Sequence, residues 1–397
     1  MLVLLRRTGA LAGRLLHPVS PLGWTALACA LVLGAGGWWL GWVELTVPAA
    51  CLVAAVVVGL LLTLGRSTYA VDLELSENRV TVGQRAVGRI EVRNTSRRRL
   101  LPAQIELPVG RGAADFHLPS LAPGAAHEDV FAIPTTRRAV VEVGPVRSVR
   151  GDPLGLLRRR VRWTDVVDLY VHPELVSLRG AASGVLRDLE GQATRVVSDS
   201  DMSFHALRDY VAGDDRRHIH WKTTARVGAL MVRQFEDTRR THTAIALSTS
   251  TDDYASAEEF ELAVSTAASI GVQALRDERE LTVLAGHGAL RAENPPRLLD
   301  DCSALEAGAD GRGSAQLAQW VKREAADATV AILVTGSVPS SSTLRANAAH
   351  IPTGVRTLVL SCQVGGAVEV ASHGTLALAQ VGSLMDLPRV LRRVVAG

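Results

Sequence analysis

Residues 241–285 read THTAIALSTSTDDYASAEEFELAVSTAASIGVQALRDERELTVLA, and the order of elements within them decides the fold of the C-terminal part. Residues 244–247 are a short apolar run bounded by hydroxyl residues, the pattern of a buried strand. Ser256, with Glu259 three positions on, forms a capping box that opens a helix running to about Arg276. Residues 281–285 then read as a second strand. Further along, helices at 314–325, 343–349 and 387–395 alternate with strands at 330–334 and 357–360. This alternation predicts a parallel or mostly parallel sheet covered by helices on both faces, over 241–397. On such a sheet, ligands bind at the carboxyl ends of the strands.

Upstream, residues 67–170 have a different texture. Residues 71–75, 87–92 and 139–143 alternate apolar with polar, while Pro102, Pro108, Pro119, Pro123, Pro134 and Pro145 punctuate at turn-like intervals. Short strands at this spacing predict an antiparallel β-sandwich. A helical reading fails because interior prolines remove a hydrogen bond and clash with the preceding turn.

The first 66 residues hold a tail and a hairpin. Residues 22–40 and 45–64 are uncharged runs of 19 and 20 residues, each long enough to cross a hydrocarbon core of roughly 30 Å as a helix. Only Gly41, Trp42, Val43 and Glu44 separate them, which predicts a tight antiparallel pair. Trp38, Trp39 and Trp42 suit an interfacial aromatic belt, and Gly37 with Gly41 has the spacing that lets helices approach closely. Arg6, Arg7 and Arg14 precede the pair and Arg66 follows it, while the turn carries only Glu44. By the positive-inside rule both ends face the cytoplasm, so the expectation is a multi-pass protein of the inner membrane with a cytoplasmic body. A cleavable signal peptide fits less well, because the first run starts late and a second follows at once.

Composition narrows the function classes. A formal net charge of +3 creates no general field for nucleic acid. Cys29, Cys51, Cys302 and Cys362 are far apart and form no CxxC pair, so neither a disulfide framework nor a cysteine zinc site is expected. The chain contains no GxxxxGK[ST], HExxH or GxSxG.

Residues 171–240 connect the two soluble parts and carry the segment 208–236, RDYVAGDDRRHIHWKTTARVGALMVRQFE, in which 10 of 29 residues are charged. Aromatic residues interleaved with both signs of charge predict a partly buried network of arginine–carboxylate pairs. Arg208, Arg216, Arg217 and Arg226 would pair with Asp209, Asp214, Asp215 and Glu236 and lock the sandwich to the α/β part. His218 and His220 form an HxH which, on a strand, would face one side as metal ligands do. With Asp214 and Asp215 they make the alternative reading, a metal-dependent hydrolase; ion pairing and a turn explain the same residues. Arg158, Arg159, Arg160 and Arg162 could meet an anionic ligand such as a lipid headgroup, or form a solvated strand edge. At the end of the 244–247 strand, Ser248, Ser250 and Asp252 could hold a divalent ion only weakly, because a hard cation wants a leading carboxylate.

The run Arg208, Tyr210, Gly213, Asp214, Asp215, Arg217, His220, Trp221, Lys222, Arg226, Gln234, Phe235 and Glu236 resembles the signature of the domain-of-unknown-function 58 family. Arg137-Arg138, Gly144-Pro145 and Asp152-Pro153-Leu154-Gly155-Leu156 are similar to a second hallmark of that family, and the paired N-terminal apolar helices agree. The resemblance implies a von Willebrand factor A-like (Rossmann-like) C-terminal domain and association with MoxR-type AAA+ ATPases. It also implies transglutaminase-like membrane proteins as partners, and a role in assembling or maturing cell-envelope complexes. The metal site of that domain type begins Asp-x-Ser-x-Ser; here Ser248 leads, and Thr335-Gly336-Ser337 stands where a later Asp is usual. The expectation is a membrane-anchored, non-enzymatic interaction protein with no required cofactor and at most a weak, degenerate magnesium site at Ser248, Ser250 and Asp252.

Overall fold

Helix α1 (Pro21–Leu40) starts where Ser20 accepts a hydrogen bond from Gly23 N, with Pro21 at its first position, where a missing N–H costs nothing. It stops at Gly41, whose φ of 67° is open to glycine and strained for most other residues. Helix α2 (Val43–Thr63) follows immediately. Both are long and apolar enough to cross a membrane, and they leave most of their surface uncovered. Trp38 and Trp39 are about nine-tenths exposed at the turn (90% and 91%). Of the two glycines read as an approach motif, only Gly37 serves packing: a Cβ there would lie 2.7 Å from Thr46 Cγ2. Gly41 has open space around it and serves the turn.

The computed structural model describes residues 19–63, 69–152, 154–178, 197–198, 203–211, 213–236 and 242–396. Arg6, Arg7, Arg14 and Arg66, on which the orientation reading rests, lie outside them, as does Pro153. The chain divides into two compact units, Met1–Thr136 with Val140–Val171, and Arg137–Ala139 with His172–Gly397.

Strands of the first unit are β1 (Tyr69–Leu75), β2 (Arg79–Thr81), β3 (Ala86–Asn94), β4 (Ala103–Val109), β5 (Gly112–Leu118), β6 (Ala126–Ile133), β7 (Ala139–Val143), β8 (Arg147–Gly151), β9 (Arg158–Arg162) and β10 (Val167–His172). One sheet has the order β1-β3-β6 and the other β2-β10-β7-β4-β8-β9, with β5 on β4. Both contribute to one core: Ile90 and Val92 of β3 lie in the same apolar cluster as Ile105 and Leu107 of β4 and Leu169 of β10. In β3 every second residue is buried, the alternation a two-layer sandwich demands. The arginine run is β9, at the end of the second sheet's order, with Arg158, Arg159 and Arg160 exposed. Charged side chains there oppose edge-to-edge pairing with other chains.

The Asp152–Leu157 loop between β8 and β9 meets the helix pair. Asp152 is buried and accepts backbone N–H groups from Leu154 and Leu157, which closes the turn. Ser20 N donates to Leu156 O at 3.0 Å, and a Cβ on Gly23 would collide with that carbonyl at 2.2 Å. Asp152, Leu154, Gly155 and Leu156, the described residues of the second hallmark's last stretch, thus belong to a turn seated against the start of α1.

The second unit begins with a small antiparallel sheet, order β11-β13-β12, of β11 (Val197–Ser198), β12 (Ser203–Asp209) and β13 (Met231–Glu236). Between β12 and β13 lie a 3₁₀ turn (Arg216–His218) and helix α3 (Trp221–Val227). The main sheet has the order β16-β15-β14-β17-β18-β20-β19: β14 (His242–Leu247), β15 (Glu280–Ala285), β16 (Gly288–Ala289), β17 (Val330–Thr335), β18 (Arg356–Cys362), β19 (Val370–His373) and β20 (Leu376–Val381). The five inner strands are parallel and the two edge strands antiparallel. Successive side chains of β14 serve opposite faces. Ile245 and Leu247 pack with helices α4 (Ala257–Arg276), α5 (Pro295–Ala304) and, later in the chain, α8 (Leu387–Ala396). Ala244 and Ala246 pack with α6 (Ser314–Glu324) and α7 (Ser341–Ala348). Both faces being covered, β14 and β17 are buried along their whole length.

Candidate functional site

Where β14 and β17 end, their carboxyl ends carry a knot of polar groups inside the second unit. The chain leaves β14 as Ser248-Thr249-Ser250, all three buried, and Ser248 N still donates to Val334 O of β17 at 2.9 Å. The centre of the knot is Asp253, a carboxylate that is only 8% exposed. It accepts hydrogen bonds from Ser248 Oγ (2.5 Å), from Ser314 N (2.6 Å) and from Ser314 Oγ (3.1 Å). Ser314 is the first residue of α6, so the anion sits where that helix's dipole is positive. Tyr254 Oη donates to Ser248 O at 2.6 Å, and burial raises its pKa well above the ordinary tyrosine value. Gly336 is required here, since a Cβ would lie 2.2 Å from Asp253 O.

Glu259 completes the knot from α4. Ser256 caps that helix by accepting from Glu259 N, as its spacing predicts. The carboxylate itself accepts from Ala255 N at 2.9 Å and from Ser337 Oγ at 2.8 Å, and so ties the loop after β17 to α4.

Sequence reading selected Ser248, Ser250 and Asp252. Two of these are at the knot, but Asp252 is exposed, and the carboxylate in place is its neighbour Asp253. The turn decides between the neighbours: in the 3₁₀ turn Thr251–Asp253, opened by Ser250 accepting from Asp252 N, Asp253 is the residue that is buried. The hydroxyls of Thr249 and Thr335 are buried without a hydrogen-bond partner. The donor set does not fit magnesium: both carboxylates, Asp253 and Glu259, already accept several protein hydrogen bonds, which leaves a hard dication no uncommitted negative charge.

The 208–236 segment folds on itself. Arg208 and Asp214 form a two-pronged pair with both N–O distances at 2.7 Å. The Arg208 guanidinium, helped by Val211 N–H, lowers the Asp214 pKa from the ordinary 3.8 to about 2. Asp215 caps the 3₁₀ turn by accepting from Arg217 N, and His220 caps α3 by accepting from Thr223 N at its Nδ1. Gly213 has a φ of 117°, and Ile219 and Val232 are buried beneath the turn. Tyr210 N donates to Leu230 O, which sets the register of the closing strands.

Among the described residues the expected wide arginine–carboxylate network shows one pair, Arg208–Asp214, and the Glu236 side chain lies outside them. Arg216, Arg217, Lys222 and Arg226 are exposed, and Arg226 makes no ion pair among the described residues, so truncating it strands no buried charge. Trp221 is also open, at 65% exposure. Gln234, Phe235 and Glu236 lie on β13, level with Ala206, Phe204 and Ser203; their side chains lie outside the described residues. The HxH is not on a strand: His218 ends the 3₁₀ turn and His220 begins a helix, so the two do not share a strand face.

A depressed folded-state pKa makes the Arg208–Asp214 pair stabilising above the unfolded value and lost as pH falls through the folded one. The stability difference between wild type and Asp214→Asn is expected to stay constant above about pH 5 and to vanish toward about pH 2. Thermal melts across that range check it.

The arginine hallmark proves structural in the same unit. Arg138 is buried, its Nε and Nη2 donate to the two oxygens of Glu261, and its Nη1 donates to Cys302 O and Ser303 O. The guanidinium stacks 5.2 Å from the Phe260 ring centre. All four cysteines are free thiols, and burial pushes Cys302 and Cys362 up to about 12.

No curated protein matches this chain. Among solved structures, the CARDB domain of a Pyrococcus furiosus protein is similar at 13% identity over 26% of this chain and 93% of its own, with a TM-score of 0.21. The C-terminal domain of wzt is similar at 10% identity over 28% and 78%, with a TM-score of 0.22. A β-glucosidase from Listeria innocua is similar at 14% identity over 27% and 16%, with a TM-score of 0.18. Scores this low carry no argument about fold or function. Residues 206–299, which run from β12 through the Asp253 knot and into α5, match the family described as "Protein of unknown function DUF58", and this match supports a protein of that family.

Proposed function

We propose that the chain is a membrane-anchored interaction protein whose α/β domain, of von Willebrand factor A-like type, presents its strand-end face to a protein partner. One observation carries this reading: the two carboxylates at the strand ends are spent on neighbouring N–H and hydroxyl groups. Asp253, Glu259 and their hydroxyl donors fix three loops in place, which makes a rigid platform. The rim of that platform is exposed and mixed in character, with Thr251 and Asp252 beside Val338, which is 57% exposed and whose N–H donates to Asp253 O. A rigid face with an apolar anchor and charged neighbours is what a protein interface uses.

The two apolar helices supply the anchor. Arginines flank the pair and none lies in its turn, which favours a cytoplasmic body on the inner membrane. On the resemblance of its motifs, the partner is a MoxR-type AAA+ ATPase, with a transglutaminase-like membrane protein as a neighbour, and the work is assembly or maturation of envelope complexes.

Capture of a MoxR-type ATPase from the same cells by the immobilised full chain, with ATP present, tests this. Asp252→Arg and Val338→Arg are each expected to reduce capture at least about tenfold, because reversing a charge or burying a new one where the partner docks costs roughly 1–3 kcal/mol. Capture that is absent from wild type, or equal in all three proteins, would sink the reading. Protease treatment of intact cells that removed the body would refute the orientation.

A further inference from the structure

The amino-terminal ends of the same parallel strands carry a second cluster, remote from the Asp253 knot along β14. His242, the first residue of β14, is 5% exposed. Its register partner in the parallel ladder is Glu280, the first residue of β15. Asp327 stands three residues before β17, whose approach is held to β14 by Thr329 N donating to His242 O at 2.9 Å. One histidine nitrogen and one oxygen from each carboxylate lie within 4.8 Å of one another.

The two nitrogens of His242 have different surroundings. Nε2 is 2.9 Å from Thr282 Oγ1, a contact that orients the ring. Nδ1 lies 3.0 Å from Asp327 Oδ1, yet out of line, so this buried nitrogen has no hydrogen-bond partner. A simple histidine–aspartate ion pair would place the N–H in line with the oxygen. The Thr282 contact occupies Nε2 and leaves Nδ1 as the nitrogen available to an ion beside the two carboxylates. That is the arrangement of a metal-ligating imidazole, whose other nitrogen is held by an outer partner. Glu280 and Asp327 are exposed, which leaves a solvent path for an ion and room for water to complete its coordination.

We infer that His242, Glu280 and Asp327 form a binding site for a divalent transition cation of zinc type. An imidazole with two carboxylates suits zinc or its first-row neighbours, while magnesium and calcium prefer oxygen alone. A tetrahedral zinc with bonds of about 2 Å holds its ligand atoms roughly 3.3 Å apart, and the exposed carboxylates need only side-chain rotation to reach that spacing. The ion would clamp β14, β15 and the approach to β17 at the edge where the sheet begins.

Titrating metal-stripped, tag-free full chain in detergent with zinc by calorimetry, and with cobalt by visible absorption, tests the site. One zinc per chain is expected, with cobalt giving tetrahedral absorption bands and with zinc bound far more tightly than magnesium. Glu280→Gln and Asp327→Asn, both at exposed positions that tolerate change, should each weaken zinc at least about tenfold; Thr282→Val should do so by about tenfold through the ring orientation. His218→Ala with His220→Ala should leave binding unchanged. Failure to bind one zinc below about 100 μM, or equal affinity in the two carboxylate variants and wild type, overturns the inference. So does loss of binding in the His218/His220 variant.

Discussion

Replacing Glu261 by alanine is expected to destabilise the second unit by about 2–3 kcal/mol, far beyond the few tenths typical of a side chain 41% exposed. The asymmetry of the pair is the reason. The Arg138 side chain is only 3% exposed, and its charge is balanced by Glu261 from one direction and by two backbone carbonyls from the other. Deleting the carboxylate leaves a desolvated cation, and the partial access that Glu261 has to water keeps the cost below that of a fully buried pair. Arg138→Met should cost about 2 kcal/mol by a different route, since the charge leaves with the side chain and the carbonyls of Cys302 and Ser303 lose their donor. The double variant should then be no worse than Glu261→Ala alone. Cys302 offers a local reading: the thiol is buried, so labelling by a thiol reagent requires opening. A loss of about 2.7 kcal/mol raises the labelling rate about a hundredfold when opening is at equilibrium. Rates within twofold of wild type for Glu261→Ala would contradict the account.

Asp253→Ala is expected to lose about 3 kcal/mol and to lower the melting temperature by roughly 8 °C. The carboxylate accepts from Ser248 Oγ, Ser314 N and Ser314 Oγ, so its removal strands the first N–H of α6 and frees the turn after β14 together. Hydrogen bonds to an ionised acceptor at a helix N-terminus are the stronger kind. Asparagine should not rescue stability: it supplies one acceptor oxygen and turns a donor toward groups that also donate. Hydrogen exchange at the Ser314 amide should accelerate in both variants while amides of β14 stay protected. Rescue by asparagine would show that shape, and not charge, holds the knot.

These two expectations concern residues that the sequence distinguished poorly. Asp253 stands beside Asp252, and nothing in their composition says which one turns inward; the 3₁₀ turn after Ser250 decides it. Arg138 was readable as part of a hallmark, but its partner Glu261 is 123 positions away on a helix. The charged segment at 208–236 misled in the opposite way. Aromatic residues among charges suggested burial, yet Trp221 and Arg226 face solvent because α3 is a short surface turn of helix. Helix α5 was missed because its first residues are Pro295 and Pro296, although Asn294 caps it by accepting from Arg297 N. Strand β20 was missed because its Leu-Ala-Leu-Ala-Gln-Val run mixes weak strand formers with polar character, while pairing with β18 and β19 overrides propensity.

Local chemistry explains what could be read directly. The length of the two uncharged runs, the period-two alternation in β3 and the four apolar residues 244–247 of β14 each limit the structures available to a few neighbouring residues, so element type follows from the residues themselves. Partnership does not. The positioning of His242 against Glu280, of Asp253 against Ser314 and of Arg138 against Glu261 depends on strand register and on helices laid across the sheet. Those contacts join positions distant in the chain, and their cost or benefit is set by burial, which only the folded chain creates.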